Sequence, residues 1–166
     1  MNDVLEDLVR TVEEAAVRLS SMTEDESRVP LAEAKWSAKE VIGHLIDSAA
    51  NNHQRFVRAQ LKADLVFEGY AQDDWVRVQA YQEESWPLLV NLWKFYNLHL
   101  AHVCRHASEA ERLRARPEHN LHVIGWAPVR REEPGTLEHL MRDYVGHLKN
   151  HLRQVFGEES GQNRPR

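Results

Sequence analysis

Cysteine occurs once in the 166 residues, at Cys104, so the chain cannot form an internal disulfide and nothing in it asks for an oxidising compartment. No run approaches the roughly 20 apolar residues of a membrane-spanning helix. Basic residues are in the minority, 21 Lys and Arg against 26 Asp and Glu. The net charge of −5 therefore lacks the positive face with which a nucleic-acid binder neutralises phosphates. The opening MNDVLEDLVR is acidic and lacks the basic-then-apolar layout of a signal peptide, so a cytoplasmic protein is expected. Strand-like alternation and repeats at a solenoid period are also missing. What remains is 42% hydrophobic and 28% charged residues, values of a globular chain. They fit one domain over residues 1–157 with a flexible tail over 158–166.

Apolar residues recur at three- and four-residue steps in four long stretches, the mark of helices with one buried face. Leu5, Leu8, Val12, Ala15, Ala16 and Leu19 line the first, over residues 3–21. The second opens on a capping box, Ser37 at the N-cap and Glu40 three residues on, flanked by Trp36 and Val41 as a hydrophobic staple. Its inward face reads Val41, His44, Leu45, Ser48 and Asn52, running on toward Phe56. The third begins near Ser85-Trp86-Pro87, proline being tolerated in a first turn. Leu89, Trp93, Tyr96, Leu100 and Val103 form its stripe, and Leu88, Leu92 and Phe95 widen it, which predicts cover on more than one side. The fourth runs from Thr136 to about Phe156 with Leu137, Leu140, Met141, Tyr144, Leu148, Leu152 and Val155 inward. Four such helices predict an all-α four-helix bundle.

The connections are polar or irregular. A polar segment ends at Pro30, and residues 22–36 read as a connecting loop. The crossover over 63–84 contains a turn at Gly69-Tyr70, with Asp73 or Asp74 expected to cap a short helix through Tyr81. Pro117, Gly125, Pro128 and Pro134 punctuate residues 108–134, which predicts a long ordered loop with one helical turn. Loops of that length in compact domains are often functional.

Histidine is abundant, ten in all. His147 and His151 sit four apart beside the apolar stripe of the last helix, and β-carbons at that spacing are roughly 5–6 Å apart. Two such imidazoles can grip one metal at about 2.1 Å each. A third ligand must come from another helix, and His44 is an inward polar residue on one that could face the last. Three neutral nitrogens would leave coordination positions open, the layout of a catalytic rather than a closed structural site. Asp47 and Asp143 lie within a turn of these histidines and could orient an imidazole by accepting its other N–H. His99, His102 and His106 form a rival cluster near the C-terminal end of the third helix, where the dipole favours cationic histidine. His53, His119, His122 and His139 fall in polar or loop surroundings and read as solvated.

These residues resemble a known family. Trp36-Ser37-Ala38-Lys39-Glu40-Val41-Ile42-Gly43-His44-Leu45 is similar to the opening motif of the DinB/YfiT-like family, and Tyr144-Val145-Gly146-His147-Leu148-Lys149-Asn150-His151-Leu152 to its closing HxxxH helix. Gly69-Tyr70 to Trp75-Val76 and Trp93 to His99-Leu100 resemble its middle, so the likeness spans nearly the whole chain. The resemblance implies an up-down-down-up bundle with a long crossover, binding a divalent metal through His44, His147 and His151, and a homodimer. Zinc and nickel both suit imidazole ligands. It further implies a thiol-dependent transferase that uses a low-molecular-weight thiol on a small electrophile, with a metal-dependent hydrolase as the alternative. Ala49 and Ala50 follow Ser48 where many relatives carry an acidic residue, so no general base is expected from that turn. The reading of another class is a non-catalytic helical binding or dimerisation module, which would hold no stoichiometric metal.

Overall fold

The computed structural model describes residues 1–158, so the expected tail lies, from residue 159 on, outside the described residues. Helix α1 spans Asn2–Ser20, a short α2 Glu24–Arg28, and α3 Ala38–Ala59. The crossover carries α4, Gln72–Gln79, and a 3-10 turn, Tyr81–Glu83. Helix α5 spans Trp86–His106, α6 Glu109–Leu113, α7 Leu121–Ile124 and α8 Leu137–Val155. Helix α5 packs between α1 and α3, and α8 closes the opposite side against the same two helices. Among the described residues no helix is long and apolar enough to cross a membrane.

Side-chain contacts give the helix directions. Asp7 pairs with Lys149 and Arg18 with Glu158, so α1 and α8 run parallel. Trp86 Nε1 donates to Leu19 O at 2.9 Å, joining the start of α5 to the end of α1 in antiparallel sense. Lys39 meets the Glu84 carbonyl at one end of α3 while His53 meets Tyr96 and His99 at the other, so α3 and α5 are parallel. His44 lies beside His151, and Ser48 beside His147, which sets α3 antiparallel to α8. The topology is up-down-down-up.

The start of α3 is the most heavily built junction. Ser37 Oγ accepts from Glu40 N at 3.3 Å, and the Glu40 carboxylate accepts from Ser37 N at 2.8 Å, the reciprocal bonds that close two orphan donors of the helix. Lys39 is fully buried, its ammonium held by the Glu24 carboxylate and the Glu84 and Gln82 carbonyls. Glu24 also accepts from Trp86 N at 2.9 Å, tying α2 to the first turn of α5. The Lys39 bond, followed by that amide, holds the Glu24 carboxyl down at about 2.

Four expectations are corrected. Residues 22–36 are not all loop: Thr23 and Glu26 make a second capping box, and α2 follows. Helix α4 starts at Gln72 without a side-chain cap, and it stops at Gln79 because Ala80 turns left-handed at φ 51. Residues 108–134 contain two short helices, not one turn. Leu88, Leu92 and Phe95 are 50%, 46% and 61% exposed, so that second face of α5 is uncovered in the monomer.

Ser37→Ala should cost about 1–2 kcal/mol, because the cap is fully buried and also accepts from Gln82; chemical denaturation measures it. Ionised Glu24 is favoured in the folded state, so its contribution is complete above about 4.5 and drains away as pH falls toward 2. The stability–pH curve of Glu24→Gln should accordingly be flatter than wild type in that acid window and parallel to it above.

Candidate metal centre

His44 stands in the second turn of α3, on the face that the capped N-terminus turns toward α8. His147 and His151 stand one turn apart on α8. Packing of the two helices brings all three together: His44 Nε2 is 3.3 Å from His147 Nε2, which is 3.0 Å from His151 Nε2. Their ligating atoms all lie within 4.8 Å of one another, and among the described residues they are the one group of three such side chains. His44 is buried, and burial, then the neighbouring His151, lowers its pKa to about 3. Burial likewise holds His147 well below the usual imidazole range. Both are neutral at pH 7, the state a ligand requires.

The three residues fit a cation better than they fit protons. A neutral imidazole nitrogen either donates one hydrogen or accepts one, so His147 Nε2 can satisfy one of its two short contacts and not both. Two nitrogens bound tetrahedrally at about 2.1 Å from one ion lie about 3.4 Å apart, close to the separations seen. His44 Nδ1 is buried with no hydrogen-bond partner among the described residues, a cost tolerated at functional sites more often than in plain cores.

A cavity of about 410 Å³ opens beside His44 and His147. Its walls come from α3 (Ser48, Asn52, Arg55), the crossover (Gly69, Tyr70) and the segment around Trp126. That segment is pinned by polar side chains, one of them fully buried. Arg116, 1% exposed, donates to Ala59 O at 2.9 Å, and Asn120 exchanges two bonds with the Phe67 backbone. Asp143 accepts from the amides of Trp126 and Ala127, and His139 Nε2 meets Ala127 O at 3.1 Å.

Asp47 and Asp143 do not take the orienting role expected of them: neither bonds to His44 or His147. Asp47 Oδ1 accepts from Tyr81 Oη and from Gln79 Nε2, both at 2.7 Å, and Asp143 holds the cavity wall. The rival cluster stays apart. His106 Nδ1 lies 2.8 Å from the His102 carbonyl, and His99 faces His53, without a third ligand converging. His119 is not solvated but buried, bonded to Glu133 O at 2.7 Å and Leu121 N at 3.2 Å.

Two features escaped the sequence reading. Glycine precedes a histidine of the triad on each helix. A Cβ on Gly43 would lie 2.1 Å from the Tyr81 ring, and one on Gly146 would lie 2.9 Å from Trp126. The Gly-His dipeptides were the visible signal. Arg55 was the other, a charged residue three positions after Asn52 on the inward face, where solvation would be the default.

These glycines should behave differently. Tyr81 is buried and bonded to Asp47, so Gly43→Ala should destabilise by about 1–3 kcal/mol through overpacking. At Gly146 the added Cβ meets only the far edge of the half-exposed Trp126 ring, at 2.9 Å, so Gly146→Ala should cost less than Gly43→Ala, under about 1 kcal/mol. Thermal denaturation of the pair decides it.

No protein-family model matches the chain, and no curated protein matches it. Among solved structures it is similar to YfiT from Bacillus subtilis, described as a probable metal-dependent hydrolase with an unusual four-helix bundle topology. The TM-score is 0.72 at 18% identity, over 93% of this chain and 85% of that one. The likeness establishes the fold, and it is the bundle implied by the DinB/YfiT-like resemblance of the histidine motifs.

Proposed function

We propose that the protein is a metal-dependent enzyme in which His44, His147 and His151 hold a divalent ion, zinc or nickel, at the edge of the cavity. The observation that carries this reading is the meeting of three imidazole nitrogens, two of them on side chains kept neutral by burial, beside a space of about 410 Å³. Pockets of roughly 300–1,000 Å³ are the usual size for small-molecule sites. An ion held by three neutral ligands supplies the positive charge that makes a thiolate or hydroxide available at neutral pH.

The cavity favours transfer of an external thiol to a small electrophile. Asp143 is the one carboxylate among the described residues that line it, and each of its oxygens accepts a backbone amide, so its first task is to hold the wall. A thiol, with a pKa of about 8.5 against about 15.7 for water before any ion is bound, gives up its proton to solvent more readily and asks less of a base. It must come from outside, since Cys104 is buried and its thiol is pushed up to about 12. Tyr70, raised to about 12 chiefly by burial, keeps its proton and presents an O–H donor to the cavity. Hydrolysis is the second reading, favoured by the description of the structural neighbour. The uncovered Leu88, Leu92 and Phe95 stripe supports a homodimer.

Mass spectrometry of tag-free protein should find about one divalent ion per chain, and His147→Ala should lose it while keeping its helical circular dichroism. Absence of an ion after incubation with zinc and nickel would overturn the metalloenzyme reading and leave a binding or dimerisation module.

A further inference from the structure

Along the inward face of α3, at steps of four, four and three, stand His44, Ser48, Asn52 and Arg55, and all four line the cavity. Arg55 is 6% exposed, yet it forms no ion pair with any of the described residues. Of its five donor hydrogens one goes to the Glu68 carbonyl at 3.0 Å, and no other acceptor among the described residues takes the rest. The remaining donors are not sealed inside the protein: they open onto the cavity, where an acceptor on a ligand can reach them. Asp143 is close enough to favour its charge without pairing with it, and that carboxylate is committed to two amides.

We infer that Arg55 is the anchor for a carboxylate on the substrate, at the end of the cavity away from the three histidines. The guanidinium fork matches a planar carboxylate in two parallel bonds. One negative charge suits the site better than two, because Asp143 already offsets part of the arginine's field. Eleven residues at 1.5 Å rise place the backbones of Arg55 and His44 about 16 Å apart along the helix, and the long arginine side chain shortens the gap. The substrate is therefore an elongated monocarboxylate whose reacting group lies several bonds from its acid. This rests on the metal-dependent reading for what happens at the histidine end, and on the cavity alone for the anion. If Arg55 served only as a strut for the crossover through Glu68, its loss would lower stability without altering selectivity between charged and neutral ligands.

Calorimetric titration of zinc-loaded protein with 8-mercaptooctanoate and 8-mercaptooctanol tests the anchor, with octanoate and octanol on metal-free protein as the arm that needs no metal. The acid should bind at least tenfold tighter than the alcohol in both arms. Arg55→Gln, which keeps a donor for the Glu68 carbonyl, should bring the ratio to about one, and Arg55→Lys should recover part of it. A ratio unchanged in a folded Arg55→Gln protein overturns the inference. So does displacement of octanoate by methylphosphonate at lower concentration than by acetate, which would assign a tetrahedral anion. Loss of zinc binding with an Arg55-dependent ratio in the metal-free arm would instead defeat the metal reading and leave the anchor standing.

Discussion

Two imidazole nitrogens, those of His44 and His151, within hydrogen-bond distance of a third, His147 Nε2, impose a constraint that protons alone do not resolve. Each ring must turn a lone pair to the same point, and water must be kept from His44 and His147. The bundle meets these demands through burial. His44 is enclosed between α3 and α8, and the loss of solvation that lowers its pKa also makes it available as a ligand. The antiparallel packing of α3 on α8 sets which turn of one helix faces which turn of the other, so the triad depends on the register of that contact.

That register is held from outside the site. The Ser37–Glu40 capping box fixes where α3 begins, and buried Lys39 binds that end to α2 and to the segment before α5. Gly43 lets the Tyr81 ring lie directly on the helix, where its hydroxyl reaches Asp47 one turn on. A polar and aromatic brace thus stands next to His44, where the crossover meets α3. The aspartate works on the brace, not on the imidazole.

Helices and irregular segments divide the labour. Ligands stand on α3 and α8, where backbone geometry leaves little freedom, whereas the opposing cavity wall comes from the crossover and residues 107–135. Those segments have few backbone bonds of their own to spend, and side chains complete them: Arg116 on Ala59, Asn120 on Phe67, Asp143 on the amides of 126 and 127. Chains with unsatisfied backbone groups do not stay ordered against a core, so these bonds are the condition for a defined cavity.

The four long helices were legible because each carries a stripe at helical spacing, and α3 also because its cap is spelled in four consecutive residues. The same kind of spelling, Thr23 to Glu26, announced α2, though the polar stretch around it masked the signal. His147 and His151 were readable as a pair because spacing within one helix is a local fact. His44 was named as their partner from its inward place and the family resemblance, but the meeting of the three, the exposure of Leu88, Leu92 and Phe95, the burial of His119 and the inward turn of Arg55 are facts of a different kind. They depend on which helix faces which, and on the path of loops that bond through side chains far away in sequence. Local periodicity therefore determined the elements and the chemical types available, while the packing of α3 against α8 decided which of ten histidines meet and which charged residue is left facing the cavity.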